Sequence, residues 1–443
     1  MSRWQWLLAQ MARRLWVRAS LLGALGILAA ILAAFVQRYI PWEIPGSIGA
    51  DAVGDLLTII ASSMLAVTTF SLNIMVSAFG SATSNVTPRA TKLLIEDRLT
   101  QQVLATFIGS FLFSIVGLIV LKTGAYGERG RVVLFIVTVA VIALVVLSLL
   151  RWIDHLTRLG RVGETTDLVE ASARQAIESR LNQPALGGRP LLGASIQPYR
   201  DAQSSSRTES FPGTLPPDTP PPGALSVTSD MIGYVQHIDM PALSRFCEAN
   251  DTDIVVRAIP GTFVYPQTPL VWILSPTGEA EVNALPRSVH KAFSIGNERS
   301  YDQDPRFGLA VMAEIGSRAL SPAINDPGTA IDVLGRMTRL LGLWGKGEAE
   351  WEGKPPEYPR IHVPLLDCED LFEDSFMLMA RDGAGLIEVQ LRLQKSLFAL
   401  SRMGSERFRA AAAHQSRMAL DRALAEMSLD ADRMRLRQLV DSF

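Results

Sequence analysis

The chain has 443 residues, 48% of them hydrophobic and 19% charged, with a formal net charge of −2. Near-neutral charge excludes the broad basic surface of a nucleic-acid binder. The two cysteines, Cys247 and Cys368, lie far apart and in no metal-ligand spacing, which excludes a disulfide scaffold or a paired-cysteine metal site and reads as reduced, buried thiols.

The long apolar runs lie before Arg151 and most of the charge lies after it. Four runs, at residues 19–36, 52–80, 103–121 and 132–150, are long enough to cross a hydrocarbon core of ~30 Å at ~1.5 Å per helical residue. Arginines precede the first run as in a signal peptide, but its length and the three runs that follow predict an uncleaved anchor. Arg3, Arg13, Arg14 and Arg18 precede the first run, Arg89, Lys92 and Arg98 follow the second, and Arg151, Arg158 and Arg161 follow the fourth. Arg38 stands alone in the first outer loop, whereas Lys122, Arg129 and Arg131 break the pattern in the second. The balance predicts both termini on the cytoplasmic side. Trp4, Trp6, Trp16, Tyr39, Trp42, Tyr126 and Trp152 flank the runs, where amphipathic rings settle at headgroups.

The second run carries a polar face. Asp55, Thr58, Ser62, Ala66, Thr69, Asn73 and Ser77 are spaced 3, 4, 4, 3, 4 and 4 apart, one side of a helix. Two readings fit: close helix packing through small and hydroxylic residues, or a wet face lining a path. A hydroxyl can bond back to its own helix, whereas the Asn73 amide needs a partner helix or water. No run holds a charge near its middle, which argues against a proton-coupled or voltage-sensing machine. Four helices without an internal repeat are few for a carrier, so a pore would form between subunits, and a homo-oligomer is expected. Gly26, Ala30 and Ala34 in the first run, and Ser110 and Ser114 beside Gly109 and Gly117 in the third, fit close helix crossings.

After the second run, Thr87-Pro88 reads as a helix cap and first residue. Arg89, Lys92 and Arg98 then alternate with leucines in a short amphipathic elbow, a candidate gate or lipid contact as well as a plain connector. Residues 1–155 are thus expected to form the transmembrane domain and 156–182 a helical extension. Asp154-His155 at that edge reads as a solvated pair. Residues 183–223, rich in Pro, Gly and Ser and ending in PPDTPPPG, read as a linker without a core.

Residues 224–300 change to short β-rich runs, and PGTFVYPQTPLVWI resembles half of a small barrel-sandwich domain. It lacks the hairpin-tip lysine of a biotinyl or lipoyl carrier. Residues 301–345 hold two amphipathic helices around SPAINDPG. There Ser321, Asn325, Asp326 and Thr329 are either a tight joint or a ligand or partner site at a helix start. In the C-terminal strand and helical region, 346–443, DCEDLFED lacks calcium-loop spacing and suits a helix N-terminus. Nucleophile-elbow, Walker and zinc-protease motifs are absent, so no enzyme activity, catalytic residue, metal or cofactor is expected.

VTTFSLNIMVSAFGSATSNVTPRATKLLIEDRLTQQVLATFIG, RWIDHLTRLGRV, GYVQHID, PGTFVYPQTPL and RALSPAINDPGTAIDVL together resemble the bacterial predicted membrane proteins of domain-of-unknown-function family 2254. The elbow departs from that pattern, with SAFGSATSNVTPR where the family carries a glutamine-rich stretch. The resemblance implies a multi-pass inner-membrane protein with a cytoplasmic C-terminal region and no established activity. The expected architecture is an α-helical integral membrane protein with four transmembrane helices and a cytoplasmic α+β region, a small barrel-sandwich-like domain plus a helical domain. The leading expectation is an oligomeric, channel-like path lined by the second helix and gated from the cytoplasm. The alternative is a membrane-anchored scaffold or signalling subunit that binds a cytoplasmic protein partner. The bilayer is the one partner both readings share.

Overall fold

A computed structural model describes residues 2–12, 15–36, 50–95, 97–124, 128–191, 220–274, 285–348 and 355–442. Arg13, Arg14, Arg38, Tyr39, Trp42, Tyr126 and most of the predicted linker lie outside them. The chain divides into two compact units, one of residues 7–165 and one of residues 1–6 with 166–443.

The first unit is helical. It comprises most of α1 (Arg3–Ala12), then α2 (Leu15–Val36), α3 (Ala50–Asn85), α4 (Pro88–Ile95), α5 (Arg98–Lys122) and α6 (Glu128–Leu156). By length and composition α3, α5 and α6 can each cross a membrane, and the count reaches four if the bent pair α1 and α2 forms one span. The 36 residues of α3 extend about 54 Å, well beyond a hydrocarbon core of ~30 Å.

Close packing here depends on missing side chains. A Cβ on Gly26 of α2 would stand 2.7 Å from the Gly109 carbonyl oxygen of α5, so only glycine lets these two helices touch backbone to backbone. Ala30 is buried beside this crossing and Ser110 and Ser114 are buried in α5, as the four-residue spacing predicts. Phe113 of α5 and Leu134 of α6 pack with Val53 and Leu57 of α3, and Phe107 and Trp152 pack with Ile60 and Met64.

The second unit is α+β. Helix α7 (Val162–Asn182), which begins in the first unit, leads into strand β1 (Gly188–Leu191). Then come β2 (Leu225–Thr228), β3 (Gly233–Ile238), α8 (Met240–Ala249), β4 (Asp253–Val256), β5 (Phe263–Val264), β6 (Pro269–Leu274), α9 (Leu285–Ala292) and β7 (Phe293–Gly296). Helices α10 (Pro305–Ala319) and α11 (Pro327–Glu348) precede β8 (Tyr358–Pro364), and α12 (Cys368–Asp382), α13 (Ile387–Leu400), α14 (Glu406–Glu426) and α15 (Asp430–Asp441) complete it.

The strands pair as a five-stranded mixed sheet in the order β1-β8-β4-β6-β2 and a three-stranded antiparallel sheet in the order β5-β3-β7. This corrects the barrel-sandwich expectation. The two strands of PGTFVYPQTPLVWI go to different sheets, β5 onto β3 and β6 between β4 and β2. The turn between them holds Gln267 at φ 76°. The linker expectation is corrected as well: residues 184–191 bury Ala185 and Leu186 and add β1 parallel to β8. The helix α8 has no counterpart in the sequence reading. It starts at Met240 after an Asp239 cap, with Pro241 in its first turn, and buries Leu243, Phe246 and Cys247 against the sheets. Further on, Phe372 meets Phe408 edge-on at 4.9 Å, and each fully buried ring of this kind contributes roughly 2–3 kcal/mol.

Candidate functional site

Along α3 the buried face is apolar but for one hydroxyl: Val53, Leu57, Ile60, Ala61, Met64 and Met75 pack inward, with Ser71 buried among them. The predicted stripe faces the other way. Asp55, Thr58, Ser62, Ala66, Thr69, Asn73 and Ser77 are all exposed. On the helical wheel exposed apolar residues flank it, Ile59 and Phe70 on one side and Leu65, Leu72 and Val76 on the other. Among the described residues the stripe is therefore not part of the packed face of α3.

The hydroxyls close on their own helix. Thr58 Oγ1 donates to the Gly54 carbonyl at 2.8 Å, Ser62 Oγ to the Thr58 carbonyl at 2.9 Å, and Thr69 Oγ1 to the Leu65 carbonyl at 2.9 Å. Asn73 makes no side-chain hydrogen bond among the described residues. Its amide offers two donors and an acceptor on a face left exposed among the described residues.

The elbow forms as predicted. Thr87 Oγ1 accepts the Ala90 N–H, Pro88 opens α4, Ala90, Thr91 and Leu94 are buried, and Arg89, Lys92 and Arg98 are exposed. Asp97 caps α5 by accepting the Thr100 N–H at 2.8 Å.

His155 is not the solvated partner of Asp154. Its Nε2 lies 3.0 Å from Thr100 Oγ1 and 3.2 Å from Asp97 Oδ2, with the Trp152 ring tilted against it at 5.7 Å. Asp154 pairs instead with Arg158 at 2.7 Å. Burial raises the Asp97 carboxyl, but hydrogen bonds from His155 and Thr100 outweigh it and hold the group at about 2. The sequence held a signal for this network: consecutive antiparallel spans bring the start of α5 and the end of α6 to one side.

In the second unit the SPAINDPG residues form a joint between α10 and α11. Asp326 caps α11, its carboxylate accepting the Thr329 N–H at 3.0 Å and the Thr329 hydroxyl at 2.6 Å. Asn325 takes φ 49° and its backbone N–H donates to the Ser321 carbonyl. The carboxylate is thus already satisfied within the turn. The acidic run is also internal. Asp367 caps α12, while Asp370 and Asp374 both grip Arg306 of α10. No group of three or more metal-type ligands occurs among the described residues. Both cysteines are buried and unpaired, and burial pushes each thiol up to about 12.

One feature has no local sequence signal. Trp6, expected at the headgroups, is 4% exposed within the second unit. Its indole stacks on His237 at 5.1 Å and its Nε1–H donates to Asp302 at 2.7 Å. The Arg3 backbone N–H donates to Asp239, and its guanidinium to the Lys291 carbonyl at 2.7 Å. His237 is buried with neither ring nitrogen bonded. Burial and the positive amino terminus lower it to about 4, against the opposing carboxylates Asp239 and Asp302. The contact joins residues more than 200 positions apart, which neither periodicity nor spacing reveals.

The model of the family "Predicted membrane protein (DUF2254)" matches residues 12–399. Over 151 residues the chain is 30% identical to the uncharacterized protein MT1328 of Mycobacterium tuberculosis, a stretch that is 34% of this chain and 28% of that protein. The same identity and shares hold for the uncharacterized protein Mb1321c of Mycobacterium bovis. The chain thus spans 28% of the length of the curated relatives it matches. No solved structure matches it. The chain belongs to the DUF2254 family of predicted membrane proteins.

Proposed function

We propose that this member of the DUF2254 family acts as a non-enzymatic homo-oligomer of the bacterial inner membrane, with α3 of each subunit facing a shared central path. In this reading both termini lie in the cytoplasm, and the second unit, through the elbow, biases whether the path is open. The observation that carries the reading is the outward polar stripe of α3, with the unbonded Asn73 amide among lipid-compatible side chains. A polar amide on a lipid-facing surface is costly. Neighbouring subunits relieve that cost by packing Ile59, Phe70, Leu65, Leu72 and Val76 and leaving the stripe to water or to other stripes. The bonding of Arg3 and Trp6 to the second unit supports placing the N-terminus beside the C-terminal region.

A second reading is favoured by a different observation. Thr58, Ser62 and Thr69 already satisfy their hydroxyls on α3, so the stripe can also seal a dry subunit interface in a scaffold whose second unit binds a protein partner. Cysteine accessibility separates the two. Single cysteines replace positions 55–80 in a chain lacking Cys247 and Cys368, and a membrane-impermeant thiol reagent probes each. Labelling at 58, 62, 69, 73 and 77 with protection at 57, 60 and 64 is expected for a wet path. Protection across 62–73 overturns the path and leaves the scaffold.

A further inference from the structure

At the α5–α6 edge of the first unit a cavity of about 550 Å³ is lined by charges of both signs, among them Asp97, Arg151, Asp154, His155, Arg158 and Glu164. Most of these are already engaged. Asp97 is held by His155 and Thr100, and Asp154 by Arg158. Two remain. Neither Arg151 nor Glu164 has an ion pair or side-chain hydrogen bond among the described residues, so the cavity offers one cation and one anion.

Its position is equally specific. The membrane-length helix α5 begins at Arg98 and α6 ends at Leu156, so the cavity lies at the ends of two such helices, the place where a span meets headgroups. On α6 the positions 144, 147, 151 and 154 are spaced 3, 4 and 3 apart and share one face, which Arg158 continues into the following turn. Leu144 and Leu147 are 50% and 57% exposed on that face. An apolar track from the span thus runs directly into the charged cavity.

We infer that this cavity binds a phospholipid whose headgroup carries a primary ammonium, with its phosphate on Arg151, its ammonium on Glu164 and an acyl chain along Leu144 and Leu147. The guanidinium can bond a phosphate through two parallel donors, and a primary ammonium gives a carboxylate donors that a quaternary one lacks. A purely anionic headgroup would leave Glu164 facing negative charge. The inference holds whether or not α3 lines a path.

The test uses the purified full chain, delipidated and offered phosphatidylethanolamine, phosphatidylcholine or phosphatidylglycerol of matched acyl chains, with bound lipid counted by native mass spectrometry. Phosphatidylethanolamine is expected to bind ~10-fold more tightly than phosphatidylcholine, the worth of one charge-assisted hydrogen-bonded contact. Glu164→Gln should erase that preference while keeping phosphate binding. Arg151→Gln should weaken all three lipids by a similar factor. Both side chains lie outside the packed core, and the comparison on the unaltered chain needs no variant. Equal binding of phosphatidylethanolamine and phosphatidylcholine, tighter binding of phosphatidylglycerol, or a preference that survives Glu164→Gln would overturn the inference. Displacement of the lipid by equimolar soluble phosphoethanolamine would overturn the lipid as the ligand's source.

Discussion

In α3 the hydroxyls of Thr58, Ser62 and Thr69 bond to carbonyls of their own helix one turn back. In the second unit polar side chains reach across the fold instead. Arg306 of α10 holds Asp370 and Asp374 of α12, Arg336 of α11 holds Asp167 and Glu170 of α7, and Arg180 donates to the Gln303 carbonyl at 3.0 Å. The apolar residues are arranged in the opposite sense. Ile59, Leu65, Phe70, Leu147 and Leu150 are exposed on the membrane helices, while the second unit encloses Trp272, Trp344, Phe372 and Phe376. The contrast follows from the solvent. In hydrocarbon a backbone carbonyl one turn away is the cheapest partner for a hydroxyl, and apolar burial gives no advantage. In water, apolar burial drives folding and polar groups tie its elements together.

Three measurements test that contrast, in descending order of expected effect. Gly26→Val should destabilise the helical unit by about 3 kcal/mol or more, because its Cβ would displace the Gly109 carbonyl and separate two helices. Thermal unfolding in detergent reads this, and an unchanged midpoint would refute backbone-to-backbone packing of α2 and α5.

The second concerns pH. His237 is held neutral down to about 4 in the folded unit, whereas an unfolded histidine takes its proton near 6.5. The unfolded chain therefore binds more protons between these values. The contribution, on the order of 3 kcal/mol, is fully present above pH 6.5 and is lost as pH falls to 4. Denaturant unfolding at pH 7 and pH 4.5 should show the loss, and His237→Phe should flatten it. Equal slopes in both proteins would mean that other groups dominate the acid sensitivity.

The smallest effect is expected of Thr58→Val, below about 0.5 kcal/mol, since the lost hydroxyl served only its own helix. A large loss of stability or of assembly would show that this hydroxyl reaches beyond its chain, breaking the distinction between the two units.

The sequence by itself determined three of the four expected membrane helices, α3, α5 and α6, the elbow, the α10–α11 joint and the polar face of α3. Each is written in a repeat of 3.6 residues, a cap or a proline within one turn of the feature it sets. Asp326 and Thr329 are an example: the cap they form bonds residues only three positions apart. The direction in which the stripe points was not legible, because periodicity gives a face and not what the face meets. Only tertiary structure decided that it turns outward, that β5 and β6 part to different sheets, and that Ala185 and Leu186 enter a core. It also decided that Trp6 lies on His237 and that Arg151 and Glu164 share a cavity. These facts depend on which distant segments pack together, and that choice is made by the free energy of the whole fold rather than by any window of the chain.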